Sequence, residues 1–163
     1  MATVSVKVID KGLNKFVKQV EQFENSYTKV GFPEGSTPDA GDKTFDEVVQ
    51  IAASHEFGAP KASIPERSFL RSAFDAHEGD IKKLMDYEYN EVANGTSTAK
   101  QSLGRIGEWF TGEVKKQIDT INSPPFAPST LKARQAKGDM NPKLLIDTGQ
   151  MRASVTHVEV IQG

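Results

Sequence analysis

Asp147-Thr148-Gly149, within the stretch LLIDTGQMRASV at residues 144–155, spells the catalytic tripeptide of the aspartic proteases. That chemistry needs two carboxylates face to face, sharing one proton so that their pKa values split. A second copy of the chain could supply the second Asp. The surroundings favour another reading. Little chain follows Asp147, so the strands and flap of such an enzyme would have to precede it, and that part reads largely as helix. Gln150 also follows the tripeptide where those enzymes usually carry a small residue. As a structural cap, Asp147 with Gln150 three residues on makes a capping box, Asp standing in the Ser/Thr place. It would open a short turn, TGQMRAS, before the last strand.

The stretch HEFGA at residues 55–59 is one residue short of the zinc-protease helix motif His-Glu-x-x-His, because Ala59 stands where the second His is required. Only His77 and His157 remain as imidazoles. His55 and Glu56 therefore read as a polar pair at a helix end, where a cation is mildly favoured. The chain has no Cys, which excludes disulfides and thiolate metal sites. Neither a Gly-x-Ser-x-Gly elbow nor a phosphate-binding loop occurs. A glycosidase-type carboxylate pair stays open among 22 acids, with nothing in its favour. We expect no catalytic, metal-binding or cofactor-binding residues, and no enzyme.

The elements around these residues follow from hydrophobic spacing. TVSVKVI near the start alternates strictly, placing Val4, Val6 and Val8 on one strand face. Leu13, Phe16, Val17, Val20 and Phe23 recur at three- and four-residue steps, giving an amphipathic helix with Asp10 as N-cap. A second strand covers about 26–32, with Thr28, Val30 and Phe32 facing together. Pro33 to Thr44 is a long loop. A helix spans Phe45 to Phe57 and ends at Gly58.

Pro60 and Pro65 keep the next segment extended until Ser68 or a neighbour opens a helix through Phe69, Leu70, Ala73 and Phe74. This pattern can continue through Ile81, Leu84, Met85 and Val92. A further helix runs from about Ala99 to Ile121. Gly104, Gly107 and Gly112 in or beside it each cost about 1 kcal/mol against Ala, which suggests close helix–helix approach. Asn122 to Lys143 is loop, short helix, loop, and Thr156, Val158 and Val160 alternate in a final strand. Residues 1–163 thus read as a single α+β domain with loop arms at about 33–44 and 122–143. Its small antiparallel or mixed sheet combines the N-terminal, second and C-terminal strands with about four helices.

The chain is 37% hydrophobic and 26% charged, and no apolar run is long enough to span a membrane. The start carries neither a basic nor an apolar block, so no signal peptide is expected, and the lack of Cys suits the cytosol. Overall charge is −2, yet residues 122–144 hold Lys132, Arg134, Lys137 and Lys143 against Asp139 alone. Such a segment suits phosphate contact, an acidic neighbouring subunit, or plain solvent.

Five fragments occur in order: VGFPEG, VVQIAASHEFGAP, IPERSFLRSAFD, PPFAPSTLKARQ and LLIDTGQMRASV. Together they resemble the virion-morphogenesis proteins of tailed bacteriophages, described as neck, head–tail connector, tail-completion or minor tail proteins. The resemblance covers roughly residues 27–158. It implies a non-enzymatic subunit, assembled in the host cytoplasm into the neck or tail region of the virion. Its partners would be a homo-oligomeric ring of six or twelve copies, the portal or an adaptor, tail proteins and, without sequence reading, packaged DNA. A tail terminator or minor tail protein is the alternative ring component. Under this reading Arg67, Phe69, Leu70, Arg71 and Phe126 are candidates for subunit contact, although Phe69 and Leu70 also suit an ordinary core. Lys132, Arg134 and Lys137 are candidates for contact with DNA or an acidic partner.

Overall fold

The computed structural model describes residues 12–36 and 42–162. Six helices and one two-stranded antiparallel sheet appear among them, an α-rich arrangement of the α+β type. The order is α1 (Leu13–Asn25), β1 (Tyr27–Gly31), α2 (Phe45–Phe57), α3 (Leu70–Ala93), α4 (Ala99–Thr120), α5 (Pro128–Ala136), α6 (Gln150–Ser154) and β2 (Thr156–Val160). The expectation of about four helices counted the long ones; α5 falls where a short helix was expected within 122–143, and α6 where only a short turn was expected. The expected N-terminal strand and the Asp10 cap expected for α1 lie outside the described residues, and Gly12 is the N-cap of α1. No described helix is long and apolar enough to cross a membrane.

The helix boundaries have local chemical causes. Thr44 and Glu47 close a reciprocal capping box on α2, and Thr98 and Gln101 close another on α4. α3 is different: its N-cap residue, Phe69, makes no side-chain capping bond. Ser68 bonds instead to Ser72, Oγ to Oγ at 2.7 Å. The capping groups for α3 come from another helix, as described below.

β1 and β2 pair with Tyr27 opposite Val160, Lys29 opposite Val158 and Gly31 opposite Thr156. Alternation places Thr28, Val30, His157 and Glu159 on the face toward α4. A Cβ on Gly107 would lie 2.6 Å from both His157 Cδ2 and Thr28 Oγ1, and one on Gly104 would meet Glu159 Oε1 at 3.0 Å. These glycines let a helix approach a sheet, not another helix as expected. Gly112 has nothing within 4 Å of its notional Cβ.

Two buried clusters result. One gathers Val48, Phe69, Val114, Ile118, Met151 and Val155 from α2, α4, α6 and the segments beside α3 and β2. The other joins Phe23 of α1 to Val92, Ala99, Leu103 and Ile106. α3 and α4 are also tied by the buried Glu88, whose Oε1 accepts from Arg105 Nε at 2.7 Å. Burial works to raise the Glu88 pKa, but hydrogen bonds from Arg105 and Ser102 outweigh it and hold the carboxyl below its ordinary value.

Candidate interaction surface

The five quoted fragments are scattered along the chain, but three of them meet at one surface. The organising group is Glu56, at the end of α2 and only 3% exposed. Its Oε2 accepts from the backbone N–H groups of Phe69 (2.8 Å) and Leu70 (2.9 Å), and its Oε1 from that of Arg71 (3.1 Å). These are the donors that the start of α3 leaves without intrahelical partners. The carboxylate's charge also suits the positive end of that helix. Arg71 Nε donates to Glu56 Oε1 at 2.9 Å, and Arg71 Nη2 donates to Glu66 Oε1 at 2.8 Å. Glu56 is thus a remote helix cap, not half of a polar pair with His55 at the end of α2.

Between α2 and α3 the chain makes a tight excursion. Gly58 leaves the helix at φ +74°, and a Cβ there would meet Glu66 N at 3.1 Å. Ala59 and Ile64 exchange backbone hydrogen bonds of 2.9 and 3.1 Å around a 3-10 turn at Pro60–Ala62. Arg67 N then donates to His55 O at 2.7 Å. Both ends of the loop are therefore fixed, while Pro60, Lys61, Ala62 and Ser63 stay exposed.

Arg67 joins this loop to the proline-rich one. Its Nε donates to Pro124 O at 2.8 Å and its Nη2 to Pro125 O at 3.0 Å. The guanidinium is buried, and burial lowers its pKa from the ordinary value. Arg67 lies 6.0 Å from the centre of the Phe126 ring, and Arg134 of α5 lies 4.9 Å from it. Both distances suit cation–π contact. Arg134 Nη1 also donates to Lys143 O (3.0 Å) and Ile146 O (2.6 Å), and Nη2 stands 3.6 Å from Asp147 Oδ1. An open depression of about 550 Å³ lies over the junction, lined by Phe57, Ile64, Pro65, Pro125 and Phe126. Phe57 is 65% exposed, with Arg71 at 5.1 Å from its ring centre.

The contact candidates sort accordingly. Phe126 lines the depression, and Arg71 stacks on Phe57 at its edge. Arg67 holds the surface together from beneath. Phe69 is fully buried, edge-on to Phe32 at 6.2 Å, and Leu70 packs against the same core, so the core reading of this pair applies. Amphipathic spacing alone left both readings open. Arg134 is not a free phosphate ligand, because its guanidinium is held by two carbonyls, two carboxylates and a ring. Lys132 and Lys137 are exposed. Phe57, the most exposed aromatic of the surface, was read only as the end of α2. An aromatic immediately before a Gly-Ala-Pro exit was the available signal.

The capping box expected at Asp147 does not form. Gly149, at φ +81°, is the N-cap of α6, and no side chain caps it. The Thr148 hydroxyl accepts from Gln150 N at 3.3 Å. Gln150 turns inward instead of reaching back: its Oε1 accepts from Lys43 N at 3.2 Å, and its Nε2 donates to Lys43 O at 2.8 Å. It thereby anchors the end of the 33–44 loop to α6, while Asp147 stays exposed beside Arg134. No group of three or more His, Cys, Asp or Glu suited to a metal occurs among the described residues.

No protein-family model matches the chain, and no curated protein and no solved structure matches it either.

Proposed function

We propose that this chain is a structural subunit of a bacteriophage neck ring that joins the capsid portal to the tail and acts by assembly. The observation that carries the reading is the convergence of HEFGAP, IPERSFLR and PPFAPSTLKAR on one surface. Residues far apart in sequence are locked together there, and the product is an exposed, proline-edged aromatic depression. Such rigid patches with apolar centres and arginine at the margin suit protein–protein contact. A ring needs heterologous contacts, in which one face of a subunit meets a different face of the next. Hydrogen bonds from Arg67 tie the two loops to each other within the subunit, which limits the ordering penalty of forming such contacts.

The test is genetic and structural. Phage lacking the gene should accumulate filled or empty capsids without tails, and adding purified protein should restore tail attachment. Phe57→Ala combined with Phe126→Ala should fold but fail to restore it. Complete infectious virions made without the gene would refute the neck role. Asp147→Asn should leave tail attachment intact. Purified protein that cleaves peptide and loses that activity in Asp147→Asn would refute assembly as its mode of action.

A further inference from the structure

An apolar groove of about 570 Å³ is lined by Phe74, Met85 and Tyr89 of α3, Tyr27 and Val30 of β1 and Phe110 of α4. The charged groups that line it are both acids, Glu24 and Asp86. Both are exposed, and neither pairs with a cation among the described residues. The complementary feature is the loop after α5. Met140 is 79% exposed there, more than any other large apolar side chain among the described residues. Lys137 and Lys143 flank it, both exposed and both outside any ion pair among the described residues. The acid of this stretch, Asp139, stands 3.8 Å from Arg134. Arg134 ties both ends of the loop. Its carbonyl accepts from Lys137 N at 3.0 Å and Asp139 N at 3.2 Å, and its Nη1 donates to Lys143 O at 3.0 Å. No residue of this loop lines the groove.

We propose that the groove receives this loop from a second copy of the chain. Met140 enters among the aromatic rings, while Lys137 and Lys143 meet Glu24 and Asp86. Methionine is unbranched and polarisable, so it fills an irregular trough and gains from sulfur contact with the rings of Phe74, Tyr89 and Phe110. The unpaired acids at the groove and the unpaired cations beside Met140 are complementary in sign, which selects and orients this occupant. A loop tied at both ends leaves less to be ordered on docking. Loop and groove are different surfaces of one chain, so the contact is heterologous and repeats head to tail, closing a ring or extending a filament. It is the kind of joint between subunits that the ring reading requires. In taking the second copy for a ring neighbour, the inference rests on that reading.

The chain has no Cys, so introduced thiols report the contact directly. Full-length Met140→Cys protein mixed with Met85→Cys protein should oxidise to a disulfide-linked dimer at least tenfold faster than Met140→Cys mixed with Tyr87→Cys. Tyr87 is 59% exposed on the same helix but does not line the groove. Lys137→Glu with Lys143→Glu on the Met140→Cys partner should abolish this preference. Glu24→Lys with Asp86→Lys on the Met85→Cys partner should restore it. All the altered side chains are exposed, so each variant should keep the helix content of the parent by circular dichroism. Equal rates for thiols at 85 and 87, or a preference that ignores charge reversal, would overturn the proposal. So would a single chain with both Met85→Cys and Met140→Cys that closes on itself, since the loop would then occupy its own groove. This inference and the neck reading fail separately. No cross-linking preference in a protein that phage still need for tail attachment would remove this joint alone. The preference, found together with complete virions made without the gene, would uphold the joint and remove the neck role.

Discussion

Glu56→Ala offers the most direct measure of how the candidate surface is held. The start of α3 has no capping side chain of its own, and one remote carboxylate serves three backbone donors and Arg71. Phe69 is fully buried, so its N–H has no ready access to water. Leaving such a donor unpaired costs about 1–3 kcal/mol. The Leu70 and Arg71 donors are part-buried and can turn to water, which makes their loss milder. Arg71 is half-exposed and keeps Glu66, so solvent screening leaves it the smallest share. Removing a buried carboxylate also relieves its desolvation, which offsets part of the total. We expect a net loss of about 3 kcal/mol, against about 1 kcal/mol for an ordinary exposed N-cap.

The assay is urea unfolding followed by circular dichroism and by the single Trp, Trp109 on α4. For a slope of about 1–3 kcal/mol per molar, the midpoint should fall by on the order of 1–3 M. Glu56→Gln keeps the volume and one acceptor but turns an amide NH₂ toward backbone donors, so about half the loss should remain. Arg71→Ala should lower the midpoint clearly less than Glu56→Ala does. Its cycle with Glu56→Ala should be non-additive, since the two touch. A Glu56→Ala loss below about 1 kcal/mol would refute the remote-cap argument, because α3 would then start as well on water as on the carboxylate.

Gly107→Ala should destabilise by about 1–3 kcal/mol through overpacking, because its Cβ would fall 2.6 Å from His157 and Thr28. Gly112→Ala, on the same helix with open space, should stabilise by about 0.5–1 kcal/mol in the same urea assay. His55 supplies a pH prediction. Burial, then the charges of Arg67 and Arg134, hold its imidazole below the ordinary 6.5. The unfolded chain therefore binds the proton more tightly. This contribution to stability is complete above pH 6.5 and is lost as pH falls from there toward the folded value. His55→Leu should flatten the stability profile in that window, while the Glu88 contribution is lost only at lower pH, as its carboxyl protonates below 4.5. Arg67→Lys cannot span two successive carbonyls with a planar fork. Hydrogen exchange should therefore speed up at residues 122 and 126–127, which have N–H groups to report, with a smaller loss of global stability.

Elements driven by local periodicity were legible in the sequence. The spans of α2 and α4, the Gly58 exit and the alternation of β2 follow from the local sequence, and tertiary packing left them in place. What escaped was capping and the choice of partners. Thr44 to Glu47 and Thr98 to Gln101 carry the capping-box spacing and form the box, whereas at Asp147 the spacing occurs without the geometry. A positive φ at Gly149 starts α6 two residues further on, and Gln150 finds Lys43 across 107 residues of chain. The role of Glu56 is hidden from local sequence for a related reason. A carboxylate near a helix C-terminus is locally unfavourable, and only the fold reveals that it serves the N-terminus of a different helix. The glycines of α4 correctly signalled a close approach, but spacing could not tell a sheet from a helix as the neighbour.

The same contacts decide what the basic segment can do. A guanidinium that reads as phosphate-binding in sequence must be free to lose water and gain a phosphate. Arg134 already holds two carbonyls and lies over Phe126 between Asp139 and Asp147. Recruiting it to DNA would release the 143–146 turn and uncover the ring. Its place in the charge count therefore belongs to the scaffold. The exposed lysines at 132, 137 and 143 are few for a surface that depends on displacing counterions, where affinity grows with the number of phosphates neutralised. The arginines around Phe126 shape an apolar depression more than they project charge. That geometry suits a folded protein neighbour better than a polyanion, and binding through it should weaken little with salt compared with binding through phosphate contacts.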